Sequence, residues 1–219
     1  INSDYVILFA VTEKGVGHKG ISCFIVEKGW DGFEMGKPEN KLGIRASDTC
    51  ELYFDTVKVP DENLIGKEGE GFKIALATLD GGRIGIAAQA LGIAQASLNA
   101  SVSYSKERIQ FGKPISINQA IQFKIADMAM EIEAARLLVW QAAWKKDQKQ
   151  SYSHVASMAK VYASEVAMRA STQCVQIHGG FGFMQESGIE RLMRDAKITQ
   201  IYEGTSEIQR VVIARSLIK

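Results

Sequence analysis

The chain reads as an α+β fragment, in which the end of an antiparallel β-sandwich or barrel domain is followed by an up-and-down four-helix bundle. Three observations predict this. Up to Pro60 the pattern is of short β-rich runs separated by turn signals. No helical crossover of a dozen or so residues lies between those runs, as parallel pairing would require. From about Glu68 the apolar period changes from two to between three and four.

The elements follow in order. Tyr5–Val11 (YVILFAV) is a strand, followed by the loop Lys14–Gly20 and a second strand, Ile21–Val26. Gly29–Gly32 is a turn, and Glu51–Val59 (ELYFDTVKV) is a further strand closed by Pro60. Glu70 to about Lys106 is a long helix rich in small residues (Gly85, Ala87, Ala88, Ala90, Gly92, Ala94, Ala96), which let a neighbour approach closely. Phe111-Gly112-Lys113-Pro114 is the expected break after it. Ile121, Ile125, Met128, Ile132, Ala135 and Val139 then step by four and three along one face of a second helix. Val155, Met158, Tyr162 and Val166 repeat that logic in a third, which Gly179-Gly180 ends. Ile189–Ile198 and Thr205–Leu217 are two shorter helices. Residues 1–62 are expected to close a β domain and 66–219 to form the helical one. Because Ile1 is no initiator methionine and a strand begins almost at once, the chain is expected to be the later part of a longer protein.

Composition narrows the function. Lys+Arg 26 against Asp+Glu 25 gives a net charge of +1, without the basic excess that nucleic acid or an anionic surface selects. No apolar run reaches the roughly 18–20 residues of a spanning helix. Three scattered cysteines (Cys23, Cys50, Cys174) suit a reducing compartment, and three separated histidines make a metal centre unexpected.

Four stretches carry possible chemistry. In Thr199–Arg210 (TQIYEGTSEIQR), Thr205 or Ser206 can cap a helix, with Ser206 and Gln209 spaced as a capping box. That leaves Glu203 and Gly204 just ahead of a helix N-terminus, where exposed N–H groups attract anions and a carboxylate can act as a base. Gln176–Phe183 (QIHGGFGF) is a glycine-rich loop after a helix, without the preceding strand of a dinucleotide fingerprint. Arg108–Pro114 (RIQFGKP) sets a guanidinium beside an aromatic at a helix end. Asp80-Gly81-Gly82-Arg83 puts two glycines inside a helix, unfavourable by about 1 kcal/mol each, so either a packed neighbour helix or a ligand must crowd that face. Each stretch alone has an ordinary structural explanation: a solvated acid, a C-cap, a surface arginine, tight packing.

Together, in this order, these stretches and IRASDTCEL (Ile44–Leu52) resemble the acyl-CoA dehydrogenase family over nearly the whole chain, most closely its short-chain, butyryl-type members. The resemblance implies FAD-dependent α,β-dehydrogenation of an acyl-CoA, with electrons passed to an electron-transfer flavoprotein in fatty-acid or branched-chain amino-acid breakdown. It implies a homotetramer, a dimer of dimers, with FAD held across a subunit interface. It further implies an N-terminal helical domain and a flavin-contacting strand that this chain does not contain. By resemblance Glu203 is the catalytic base, and its own backbone N–H polarises the thioester carbonyl. Such a base must be desolvated, because an α-C–H is a weak acid. Arg108, Phe111 and Gln119, then Gln176, Ile177, His178, Gly179 and Gly180, match residues reaching FAD across the interface. Thr205, Ser206 and Glu207 match FAD contacts at a helix N-terminus. Asp80, Gly81, Gly82, Arg83, Tyr202 and Gly204 match the acyl-CoA side. Some family members carry the base directly before the arginine matching Arg83; here that position is Gly82, which leaves Glu203.

The alternatives are an oxygen-reducing acyl-CoA oxidase or nitroalkane-oxidase relative, and a non-catalytic relative that binds DNA or a protein. Glu at 203 disfavours the nitroalkane branch, and scattered lysines disfavour DNA. The expected setting is a bacterial cytoplasm, or the mitochondrial matrix in a eukaryote.

Overall fold

The structure, a computed structural model, describes residues 2–218. It divides into two compact units, Ile1–Lys41 with Arg45–Leu79, and Leu42–Ile44 with Asp80–Lys219.

In the first unit β1 (Tyr5–Val11) pairs antiparallel with β2 (Ile21–Glu27) in unbroken register from Tyr5↔Glu27 to Val11↔Ile21. β3 (Phe33–Met35) pairs with β4 (Leu52–Phe54) in a separate ribbon, where the Phe33 and Phe54 rings stack at 4.7 Å. β5 (Leu64–Ile65) adds to the other edge of β2. Pairing is antiparallel throughout, as the missing crossovers predicted. The predicted strand Glu51–Val59 pairs only over Leu52–Phe54, because the chain turns at Thr56, whose φ is 55°. β2 buries Cys23 and Val26 completely, whereas Tyr5, Ile7, Phe9 and Val11 of β1 present an exposed apolar face.

α1 (Gly71–Glu107) starts against this sheet: a Cβ on Gly71 would lie 2.6 Å from the Ser22 carbonyl carbon, so only glycine fits.

The second unit is helical. The chain leaves α1 four residues before the expected break, and Ile109–Gln110 (β6) pairs with Lys113–Pro114 (β7) in a hairpin. Phe111 and Gly112 both have positive φ, 52° and 76°, the signature of a tight two-residue hairpin turn. α2 (Gln119–Asp147) and α3 (Ser153–His178) follow, then one turn, α4 (Gly180–Phe183), and the shorter α5 (Ile189–Ile198) and α6 (Ser206–Leu217). The core is built mostly from small side chains: Ala87, Ala90 and Ala94 of α1, Ala135 and Ala142 of α2, and Ala156, Ala159, Ala163, Ala167 and Ala170 of α3. Met128, Ile132, Val139 and Val166 fill the space between them. Ser97 and Ser101 of α1 are wholly buried, and their hydroxyls donate back to the carbonyls of Ile93 and Ser97 at 2.8 Å, so neither hydroxyl is left bare.

Leu42–Ile44 belongs to this unit. The Arg194 guanidinium donates to the Leu42 carbonyl at 2.8 Å, and the Ile44 N–H donates to Asp195 Oδ1 at 2.7 Å. Gly43 lies so close to the Arg194 carbonyl that a Cβ would stand 2.4 Å from it.

Candidate active site

Glu203 and Gly204 are consecutive left-handed residues, with φ of 55° and 87°, in the connection from α5 to α6. A non-glycine residue there costs about 1 kcal/mol or more, so the surroundings must hold it. They do. Gln209, wholly buried on α6, donates through Nε2 to the carbonyls of Glu203 and Gly204 at 3.1 and 2.9 Å. Lys160, wholly buried on α3, donates to the Gly204 carbonyl at 2.7 Å. The helix begins at Thr205, whose hydroxyl accepts the Ile208 N–H at 3.4 Å. The expected capping box from Ser206 to Gln209 is therefore not formed: the cap is Thr205, and Gln209 is drawn back to the loop carbonyls.

The half-buried Glu203 side chain reaches α1. A Cβ on Gly82 would come within 2.5 Å of Glu203 Oε2 and 2.9 Å of its Cδ. The crowding that explains this helix glycine is the carboxylate itself, where packing or a ligand was the expectation. Gly81, one residue earlier, is crowded instead by Lys146 Nζ, 3.2 Å from where its Cβ would be. The Glu203 N–H makes no hydrogen bond among the described residues, so it is available to an acceptor.

Around the carboxylate the groups are ordered. Asp80 Oδ1 accepts from Arg83 Nη1 at 2.6 Å and from the Ser153 hydroxyl at 2.8 Å. Arg83 is buried, and its Nε has no partner among the described residues. Tyr202 donates its hydroxyl to Gln89 of α1, and burial raises its pKa. Burial, with the Arg83 charge adding to it, brings the Lys160 ammonium down to about 8, against the pull of Glu207 and Glu203. Glu207 is held below the usual carboxylate range by its own N–H and by the Thr205 hydroxyl.

A second feature lies at the start of α6. Thr205, Ser206 and Glu207 line an open cleft of about 250 Å³ with Glu165, Lys197, Gln200 and Ile201. The Ser206 hydroxyl is buried there without a partner among the described residues.

The remaining predicted residues sit elsewhere. Arg108 and Phe111 are exposed on the β6–β7 hairpin, Phe111 completely so at its tip, and Gln119 is exposed at the start of α2. Gln176, Gly179 and Gly180 are exposed at the end of α3. Ile177 and His178, expected among the cofactor contacts, bury their side chains in the helical unit. His178 Nδ1 pairs with the Cys174 carbonyl at 2.8 Å, and its ring stacks on Tyr104 at 4.2 Å. That stretch offers a ligand only backbone and the exposed residues beside it. Eighteen residues of α3 separate Lys160 from His178, about 27 Å at helical rise. One chain therefore keeps the Glu203 cluster and the hairpin cluster apart.

Sequence reasoning missed Lys160, Gln89 and Ser153. Lys160 had a visible signal, since it interrupts the small apolar stripe Ala156, Ala159, Ala163, Ala167 on α3. Gln209 was noticed but given the wrong partner.

An acid on a pinned loop thus faces a side-chain-free helix position close to the start of another helix. Residues 69–218 match the acyl-CoA dehydrogenase C-terminal domain and residues 1–57 the acyl-CoA dehydrogenase middle domain, and the chain belongs to the acyl-CoA dehydrogenase family. It is 56% identical over 217 residues to the short-chain specific acyl-CoA dehydrogenase of Megasphaera elsdenii, covering 99% of this chain and 57% of that one. The butyryl-CoA dehydrogenase structure from the same organism superimposes with a TM-score of 0.97 at 56% identity, over 99% of this chain and 57% of the other. A chain from a structure of the electron transferring flavoprotein of Acidaminococcus fermentans gives a TM-score of 0.98 at 57% identity, over 100% and 57%. The chain thus spans little more than half the length of the relatives it matches.

Proposed function

We propose that this chain is the catalytic C-terminal part of an FAD-dependent dehydrogenase that converts a short-chain acyl-CoA to its trans-2-enoyl-CoA. Glu203 removes the α-proton, and its backbone N–H, free of other partners, donates to the thioester carbonyl. Gly82 leaves the acid room to reach the α-carbon, and Tyr202, Gly204, Asp80 and Arg83 frame the acyl side. The observation that carries the reading is the Glu203 carboxylate seated against Gly82 on a loop whose carbonyls are held by Lys160 and Gln209.

FAD fits the residues present. The partnerless Ser206 hydroxyl, the N–H groups at the start of the 12-residue α6 and Lys197 suit a pyrophosphate. Thr205 and Glu207 flank that position. When bound, FAD supplies the acceptor for the β-hydride. The distance between the Glu203 and hairpin clusters supports a cofactor shared between copies, with Arg108, Phe111, Gln119 and the Gln176–Gly180 backbone of one chain reaching the α6 start of another. The exposed apolar stripe Phe123, Met130, Leu137, Trp140 and Trp144 on α2 supports assembly as a homotetramer.

Residues 1–62 would close a sandwich or barrel domain, whose other strands cover the exposed face of β1, and 66–219 would form the four-helix bundle. Electrons would pass to an electron-transfer flavoprotein, in a bacterial cytoplasm or a mitochondrial matrix. None of the described helices is long and apolar enough to cross a membrane.

The test uses the full-length protein and a series of acyl-CoA lengths, with flavin reduction followed with and without oxygen. Bleaching that is fastest near butyryl-CoA and slow to reverse in oxygen is expected. Rapid reoxidation would identify an oxidase, and no bleaching with any acyl-CoA would overturn the reading.

A further inference from the structure

We propose that Lys160 is a positioning residue for the catalytic carboxylate: its buried ammonium grips the Gly204 carbonyl and fixes the left-handed turn that aims Glu203 at the space above Gly82. This rests on the reading of Glu203 as the base.

The geometry carries it. Lys160 has no exposed surface, which is rare for a lysine without a full set of partners, and its one hydrogen bond is to Gly204. Gln209 already satisfies the carbonyls of both Glu203 and Gly204, so neutral hydrogen bonding does not require an ion at this place. An ammonium adds a field. It faces Glu203 from the loop and Glu207 from α6, with Arg83 opposing it from α1, while Ser157 and Ser164 are its buried neighbours on α3. The charge is held at a cost, since burial depresses its ionisation. A residue kept at such a cost in a core of alanines points to a task other than packing. Because the turn holds a non-glycine residue at positive φ, losing the shorter and charged of the two donors to the Gly204 carbonyl leaves Gln209 alone to hold the strain, and Glu203 can relax and shift its carboxylate.

The experiment compares Lys160→Met, Lys160→Gln and Glu203→Gln in the full-length holoenzyme. Lys160→Met keeps the length of the side chain but neither donor nor charge. It should lower kcat at least about tenfold with KM nearly unchanged and FAD content intact, as expected for a displaced base. Lys160→Gln keeps a donor without the charge, and should recover part of kcat. The thermal midpoint of Lys160→Met should not fall, whereas a merely structural lysine would lower it. Wild-type kcat in Lys160→Met overturns the proposal. Should Lys160→Met fail to fold, wild-type kcat in Lys160→Gln does the same. Turnover by Glu203→Gln would instead overturn the base assignment itself. An inactive Glu203→Gln beside a normal Lys160→Met overturns only the role of Lys160.

Discussion

Replacing Gly82 by alanine separates stability from catalysis. The new Cβ would stand 2.5 Å from Glu203 Oε2, nearly 1 Å inside ordinary contact of about 3.5 Å. The obstacle is the tip of a flexible side chain, so the carboxylate gives way and the helix stays. Alanine in a helix interior contributes about 1 kcal/mol over glycine, and an off-rotamer glutamate costs about 0.5–1.5 kcal/mol. The net change in stability is close to zero. Catalysis has no such compensation, since a displacement of about 1 Å at a reacting group costs on the order of 10²-fold. Gly82→Ala should therefore melt within a few degrees of wild type while kcat drops about 10²-fold and KM hardly moves. Gly85→Ala, exposed one turn further along α1 with nothing within 4 Å, should gain stability and keep full turnover. Melting curves and steady-state kinetics on the full-length protein read both. A Gly82→Ala enzyme within threefold of wild-type kcat would refute the placement of the carboxylate.

Other outcomes follow from the same coordinates. Phe111→Ala should leave unfolding within about 0.5 kcal/mol of wild type, the ring being fully exposed, yet weaken FAD retention on gel filtration if the hairpin serves a neighbouring copy. Ile132→Ala, at a site 1% exposed in the core, should cost about 2–5 kcal/mol in urea unfolding. Lys160 binds its proton less tightly in the folded protein (about 8) than in the unfolded chain, at the ordinary 10.5, so between those values the unfolded state holds more protons. Stability should therefore rise with pH across that window in wild type relative to Lys160→Met, as read by denaturant titrations at each pH. A wild-type stability that falls or stays level relative to Lys160→Met as pH rises would contradict the burial of the charge.

The helices were legible because their signal is long and repeated. α1 was expected from Glu70 to about Lys106 and runs Gly71–Glu107, and α5 was expected at its observed bounds. Of the small residues on α1 that pointed to close packing, Ala87, Ala90 and Ala94 are wholly buried, whereas Gly85, Ala88, Gly92 and Ala96 are exposed. Short pairing was not legible. Phe33–Met35 and Leu64–Ile65 are too brief to show alternation, and the β6–β7 hairpin looked only like a helix stop because Phe111 is an unusual residue at positive φ.

The candidate site divides the same way. The loop before α6 and the paired glycines of α1 were visible as separate oddities. That they answer each other, with Glu203 over Gly82, depends on three-dimensional packing no local pattern records. Lys160 was hidden because a lysine in a helix ordinarily faces water, and only its place on an alanine stripe marked it. The side chains of Ile177 and His178, read as part of a glycine-rich ligand loop, are buried, His178 against Tyr104.

The account turns on proton removal by Glu203. Rapid mixing of butyryl-CoA with the full-length Glu203→Gln protein under anaerobic conditions, with flavin reduction followed by absorbance, tests it most directly. A fall of at least about 10²-fold in the reduction rate, with FAD content and ligand binding retained, is the predicted result. Reduction at a rate close to wild type would place the base on some other residue.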